Sequence, residues 1–192
     1  GAHTGDALVT TPVRGSHHGE YQGVMRWAHE MGSRIIWNAD PRPYAVNAVN
    51  QAVALGLAQG KTFAYLDFSE WQASQLIAGA SITTCVPFVA SDPSSDVQDF
   101  VSRAKVFSGN ELVTHVAFTH YNLLLALKQA MDRSGEASAA AARSGLEGLT
   151  VETATGPLTL GEAGYATLPM FVARATGGDE LRVIEKIDQI EP

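Results

Sequence analysis

Eight polar residues fall into three short segments whose chemistry suits the binding of a small polar molecule. These residues are Thr11, Arg14, Ser16, Asn38, Asp40, Arg42, Asp67 and Ser69. Hydroxyl and amide groups match the donors and acceptors of such a ligand, an aspartate pairs with an ammonium or amide N–H, and an arginine faces a carboxylate. A structural interpretation stands beside this one, since Asp40 precedes Pro41 in a turn and Ser69 occupies the N-cap position of a predicted helix.

The segment GLAQGKT, residues 56–62, ends like a phosphate-binding loop but has the wrong spacing. Such a loop needs four residues between its glycines, whereas three separate Gly56 from Gly60. The segment also runs from a predicted helix into a strand, and phosphate binding requires the opposite order, so that the helix N-terminus meets the ligand. We therefore predict a turn here rather than a nucleotide site.

The segment GGDEL, residues 177–181, resembles the signature of diguanylate cyclases. It lies between two predicted strands, MFVARA and LRVIEKI, and the remainder of that domain has no counterpart in the chain. A glycine-rich turn between strands explains it more simply.

The histidines and the single cysteine do not form a catalytic or metal-binding pattern. The sequence contains six histidines but neither HExxH nor a Cys-His cluster. His115 and His120 are five residues apart on a predicted helix and so point to different faces, which favours a solvated or capping role. G-x-S-x-G does not occur, and Cys85 lies in an apolar strand pattern. We predict no catalytic residue, no metal and no cofactor.

Composition favours a globular domain with a small-molecule or protein partner. The 192 residues are 45% hydrophobic and 17% charged, with a formal net charge of -7. This balance argues against a nucleic-acid-binding face or an anionic membrane surface, both of which need clustered Lys and Arg. The chain has no apolar run long enough to span a membrane, and its first residues do not read as a signal peptide.

The elements that must position the polar residues alternate in type along the chain. Strand and helix patterns alternate through residues 7–143, and from residue 149 only strand patterns remain. The clearest helical stripe is formed by Val46, Val49, Val53 and Leu57. A long helix is predicted over residues 111–133, and its inward candidates are Leu112, Val116, Leu123, Leu124 and Leu127.

This order predicts an α/β fold with three layers. We expect a mostly parallel sheet with helices on both faces and an antiparallel C-terminal strand tail. Residues 1–148 form the Rossmann-like α/β part, and residues 149–192 complete the same lobe. The loops that follow parallel strands gather at the carboxyl edge of such a sheet, which brings the three polar segments together.

Three quoted segments carry a resemblance to a known family. They are YLDFSEWQASQLIAGASITTCVPFVASDPSSDVQDFVSRAKVFSG, then FTHYNLLLALKQAMDRSG, and GLEGLTVETATGPLTLGEAGYATLPMFVARATGGDELRVIEKIDQIEP. Together they resemble the C-terminal lobe of type I periplasmic substrate-binding proteins of ABC transporters, in the group that binds amides, urea and branched-chain amino acids. In this comparison the Gly156-Pro157 turn joins two strands. The family has two lobes, and this chain has the length of one.

The resemblance implies solute binding without catalysis. A periplasmic protein would then deliver a small polar molecule to a membrane permease, while in amide-sensing relatives a cytoplasmic lobe signals to a regulator protein. Two alternatives remain: a protein-interaction module, including a homodimer, and a small Rossmann-like enzyme, which is weakened by the lack of a dinucleotide fingerprint.

Overall fold

In a computed structural model of the chain, the described residues are 21–38, 45–161, 165–178 and 180–190. Within them, the chain forms six helices and seven strands. The helices are α1 (Gln22–Glu30), α2 (Ala45–Ala54), α3 (Glu70–Ala73), α4 (Ser95–Ser108), α5 (His115–Ser134) and α6 (Ala139–Leu146). The strands are β1 (Ile35–Asn38), β2 (Thr62–Tyr65), β3 (Ile82–Val86), β4 (Thr150–Thr153), β5 (Gly156–Leu160), β6 (Ala166–Ala175) and β7 (Arg182–Ile190). The predicted strand at residues 7–11 lies outside the described residues.

The sheet has a parallel half and an antiparallel half. Strands β1, β2 and β3 pair in parallel, so their carboxyl ends lie at the same edge. Strand β6 runs antiparallel to β3, while β4, β5 and β7 add further antiparallel pairs. The predicted α/β architecture with an antiparallel C-terminal tail is therefore confirmed.

Strand β6 joins these two halves. Val172 pairs with Cys85 of β3 on one side and with Glu185 of β7 on the other. The first residues of β6 pair instead with β5, so β3 and β5 pair with different parts of this strand. The ladder with β7 is irregular beside Pro169, a residue type that has no backbone N–H to contribute.

A buried cluster packs the first three helices against the sheet. Helix α2 contributes Val46 and Val49, which are almost fully buried, and Val53 and Leu57 pack against the same cluster. The stripe predicted from the sequence is confirmed for Val46, Val49 and Val53, which pack one face of α2 against this cluster, while Leu57 packs on it from beyond the end of the helix.

A second cluster of aromatic residues fixes the start of α5 against α4 and the loop that follows β3. The rings of Phe88 and Phe118 stack with centroids 4.6 Å apart, and Phe100 meets both rings edge to face. Such aromatic contacts add to the free energy gained by burying the rings.

The inward face predicted for α5 is wrong. Its buried residues are His115, Phe118, Asn122, Ala126 and Ala130. Val116, Leu123 and Leu124 are instead exposed, Leu124 by 68%. Helix α6 explains the difference, because a Cβ on Gly145 would lie 2.5 Å from the carbonyl oxygen of Ala130. Only small residues permit this close approach, so alanines rather than leucines face the protein.

Three local features lie near the ends of these elements. Trp37 of β1 is 64% exposed. Helix α3 is only one turn long. Gln98 of α4 donates from Nε2 to the carbonyl oxygens of Ala90 and Asp92, at 3.0 and 2.6 Å, which ties the helix to the loop after β3.

Two of the glycine-containing segments are turns, as predicted. The segment GLAQGKT connects α2 to β2, and its Lys61 Nζ donates to the carbonyl oxygen of Ser33 at 2.6 Å. Gly177 and Gly178 connect β6 to β7 with φ angles of 98° and 85°, which glycine adopts without strain.

The turn predicted at Gly156-Pro157 is displaced in the structure. The chain turns at residues 154–155, and Gly156 and Pro157 are already the first two residues of β5, paired with the end of β4.

Candidate ligand-binding site

The carboxyl edge of the parallel strands is described only in part. Thr11, Arg14, Ser16, Asp40 and Arg42 lie outside the described residues. Asn38 is the last residue of β1, and its Cα pairs in register with that of Tyr65, the last residue of β2. The last residues of β1 and β2 therefore lie at the same level of the sheet.

Asp67 is the acidic group that the structure places at this edge. It follows β2 directly, and its side chain is 48% exposed. Its Oδ1 lies 2.5 Å from Nε2 of His115, the first residue of α5. One carboxylate oxygen is thus held by a side chain 48 residues away, while the half-exposed carboxyl group remains within reach of a ligand.

His115 is the partner that sequence reasoning missed. Its imidazole is buried, and Nδ1 has no hydrogen-bond partner among the described residues. No local sequence pattern indicates this contact, since it depends on the aromatic cluster that fixes α5 beside the end of β2. His120, considered with it, is exposed, and its Nδ1 lies 2.7 Å from the carbonyl oxygen of Val116.

Ser69 is buried at the start of α3. Its backbone N–H donates to Oε1 of Gln72 at 2.9 Å, and its hydroxyl donates to the same oxygen at 3.2 Å. The structural interpretation of this serine is supported, because its polar groups are occupied in forming the helix N-terminus.

Glu70 follows Ser69 and is also buried. Its Oε1 accepts a hydrogen bond from the backbone N–H of Ala90 at 3.1 Å. Burial raises the pKa of this carboxyl above its ordinary value of 4.5, and the Ala90 hydrogen bond lowers it by a smaller amount. The Glu70 side chain therefore ties α3 to the loop that follows β3.

The described residues lack two other features that would indicate function. They contain no group of three or more His, Cys, Asp and Glu side chains that could hold a metal ion. Among the helices of these residues, none is long and apolar enough to cross a membrane.

Comparison with known proteins gives one family and a consistent set of structures. A family model described as periplasmic binding protein matches residues 2–179. A search of curated proteins gave no match.

The similar structures are bacterial binding proteins. A solute-binding protein of an ABC transporter from Rhodopseudomonas palustris BisB5, in complex with 3,4-dihydroxybenzoic acid, has a TM-score of 0.74 at 15% identity, over 90% of this chain and 50% of its own. A leucine-, isoleucine-, valine-, threonine- and alanine-binding protein from Brucella ovis gives 0.73 at 14% identity, over 92% and 49%. A periplasmic binding protein from Burkholderia mallei gives 0.76 at 14% identity, over 94% and 49%. The chain spans about half the length of these structures.

Proposed function

The chain belongs to the periplasmic binding protein family, and on that premise we propose that it binds a small polar solute as the substrate-binding component of an ABC transporter. The solute class that we propose is an amide, urea or an amino acid. The protein works in the periplasm, passes its solute to a membrane permease and performs no chemistry on it. Solute-binding proteins from Rhodopseudomonas palustris and Brucella ovis with the same fold support the transport role.

The Asp67 carboxylate is the observation that carries this proposal. It is half exposed at the carboxyl end of β2, and one of its oxygens is fixed by His115. A carboxylate held in one orientation accepts a hydrogen bond from an ammonium or amide N–H with little loss of side-chain freedom.

The remaining predicted residues complete the proposed solute site. Arg14 or Arg42 would face a carboxylate of the solute, and hydroxyl and amide groups would satisfy its other polar atoms. The proposed set is Thr11, Arg14, Ser16, Asn38, Asp40, Arg42, Asp67 and Ser69. Within it, Ser69 supports the loop that carries Asp67 through its contacts with Gln72.

The first test is to find the solute and then to remove the Asp67 charge. Native mass spectrometry of the purified chain, compared with its denatured mass, reports any retained small molecule, and calorimetry with amides, urea and amino acids ranks the candidates. Asp67→Asn should weaken binding by about tenfold or more, because it removes a hydrogen bond to a charged group. Asp188→Asn is the matched control, since this aspartate is 93% exposed on β7. Equal affinity in both variants would contradict the assignment of Asp67.

We further propose that a second α/β lobe packs on the exposed face of α5. This face carries the exposed apolar residues Val116, Leu123 and Leu124, on a helix whose opposite face is buried. Apolar residues grouped on an exposed face favour an interface there. The chain spans about half of its structural neighbours, which supports a second lobe as the occupant.

The same face of α5 favours one second candidate, a protein-interaction module that pairs as a homodimer. Sedimentation of the chain, which reports its oligomeric state, distinguishes a homodimer from a chain that pairs with a second lobe. A dimer that becomes a monomer when Leu123 and Leu124 are both changed to Gln supports the module. A chain that stays monomeric supports the second lobe as the occupant.

A further inference from the structure

A cavity of about 610 Å³ lies beside the candidate solute site and is separate from it. Its walls come from the loop after β3, from α4, from the segment before α5 and from the residues before β7. Neither Asp67 nor His115 lines it. Glu70, three residues beyond Asp67, does.

Glu70 has an incomplete hydrogen-bond set at this wall. The residue is only 3% exposed, and its Oε1 is occupied by the Ala90 amide. Its Oε2 is buried and has no hydrogen-bond partner among the described residues. A buried carboxylate oxygen without a hydrogen-bond partner raises the free energy of the folded state. A ligand that donates a hydrogen bond to this oxygen would remove that penalty.

Three polar side chains around the cavity have partners other than Glu70. The Ser91 hydroxyl donates to the carbonyl oxygen of Leu181. Gln98 Nε2 donates to two backbone carbonyl oxygens, and Lys105 Nζ lies 3.3 Å from Oε2 of Glu111. Among the described residues, none of these groups donates to Oε2 of Glu70.

The charge and the apolar lining define the ligand further. Glu70, Glu111 and Glu180 place three carboxyl groups around the cavity, against the single amino group of Lys105. A negative lining of this kind attracts a cation. Val101, Leu112 and Leu181 add an apolar wall suited to methylene groups.

We propose that this cavity binds a small organic cation, a primary ammonium or guanidinium group on a short aliphatic chain, with the charged group paired to Glu70. The ammonium supplies the donor that Oε2 lacks, and the methylene groups pack on the apolar wall. Burial favours the neutral form of this carboxyl, and a bound cation restores its negative charge.

The test uses n-butylammonium as the probe and 1-butanol as its uncharged control of equal chain length. Titration of the ¹⁵N-labelled chain, followed by NMR, should show saturable shifts at the amides of Glu70 and Ala90 with n-butylammonium. The affinity for 1-butanol should be lower than that for n-butylammonium by about tenfold or more, because the alcohol carries no charge to pair with the carboxylate. Equal saturation by both compounds would overturn the proposal of a cation site.

Two variants of the cavity sharpen the test. Glu70→Gln should weaken n-butylammonium binding by about tenfold, since glutamine can keep the Ala90 hydrogen bond but has no charge. Leu112→Trp fills the cavity from a half-buried loop position and should abolish the saturable shifts even if Glu70→Gln does not fold. Unchanged binding in either folded variant would overturn the proposal.

Control variants separate this cavity from the proposed solute site. Glu136→Gln removes an exposed carboxylate at the end of α5 and should leave binding unchanged. Asp67→Asn should also leave n-butylammonium binding unchanged while it weakens solute binding. Loss of n-butylammonium binding in Asp67→Asn but not in Glu70→Gln would place the cation in the solute site and refute the second cavity.

Discussion

Asp67 and Glu70 are three residues apart, yet the fold gives their carboxyl groups opposite surroundings. Asp67 is half exposed and is paired with the His115 imidazole at 2.5 Å. Glu70 is buried, its Oε1 accepts a hydrogen bond from the Ala90 N–H, and its Oε2 has no partner within the part of the chain that the structure describes. The elements packed on a carboxyl group therefore decide its chemistry more than its position in the sequence does.

The start of α3 separates the surroundings of Asp67 from those of Glu70. Asp67 lies before this helix, at the open edge of the sheet, whereas Glu70 is its first residue and lies under the loop after β3. Both carboxyl groups depend on Phe88 and the aromatic cluster, which fixes that loop and the start of α5.

The largest effect should come from removing this shared support. Phe88→Ala deletes a fully buried ring that stacks on Phe118, and we expect a loss of about 3–5 kcal/mol in the free energy of unfolding. Urea denaturation measures it. Phe107→Ala is the matched control, because Phe107 is 94% exposed on α4 and its removal should cost less than about 0.5 kcal/mol. Similar losses in the two variants would mean that the cluster does not support the two sites.

A smaller effect on stability is expected from the contact between Asp67 and His115. A double-mutant cycle of Asp67→Asn and His115→Ala should give a coupling energy of about 1 kcal/mol, reduced from that of a buried pair because Asp67 is half exposed. Thermal or urea unfolding of the four proteins measures it. The same cycle with the exposed His120 should give a value near zero, and equal coupling to both histidines would contradict the contact.

The smallest expected effect is the pH dependence of stability that the buried Glu70 carboxyl group causes. Because its pKa is raised, the folded state binds this proton more tightly than the unfolded state does, so the stability that the proton confers is present below about pH 4.5 and is lost as the pH rises through the folded-state pKa. The free energy of unfolding of the wild type should therefore fall relative to Glu70→Gln as the pH rises toward neutrality. Urea denaturation over this range measures it.

The matched control for this pH dependence is Glu136→Gln. Its carboxylate is exposed, so the difference from the wild type should stay nearly constant with pH. A free energy of unfolding of the wild type that rises with pH relative to that of Glu70→Gln would contradict the assigned direction.

Much of the fold was predictable because its signals are local. The spacing of Val46 and Val49 identifies the buried face of α2, and the change from alternating elements to strands alone identifies the antiparallel tail. Each signal lies within one or two elements, where periodicity reports burial directly.

The buried face of α5 was not predictable, because its choice depends on another helix. Leucines lie on one side and alanines on the other, and hydrophobicity alone favours the leucines. Gly145 of α6 reverses that preference by approaching Ala130 closely. As a result, Val116, Leu123 and Leu124 are exposed on the outer face of α5.

The candidate site was only partly predictable. Strand order was sufficient to place Asp67 at the carboxyl edge, since that inference needs no side-chain contacts. The partner His115 and the burial of Glu70 depend on contacts across 48 and 20 residues, for which a single sequence has no local pattern.

The change of partner along strand β6 bears on which part of the sheet opens first when the protein unfolds locally. Its residues 166 and 167 pair with β5, its residues 171–175 pair with β3, and Pro169 between these two ladders has no backbone N–H to donate. We therefore expect the β5 ladder to separate while residues 171–175 stay paired with β3. Under native-state hydrogen exchange, Thr167 should exchange through a local opening, and Val172 only with the opening of the whole sheet. One continuous strand would then behave as two cooperative units.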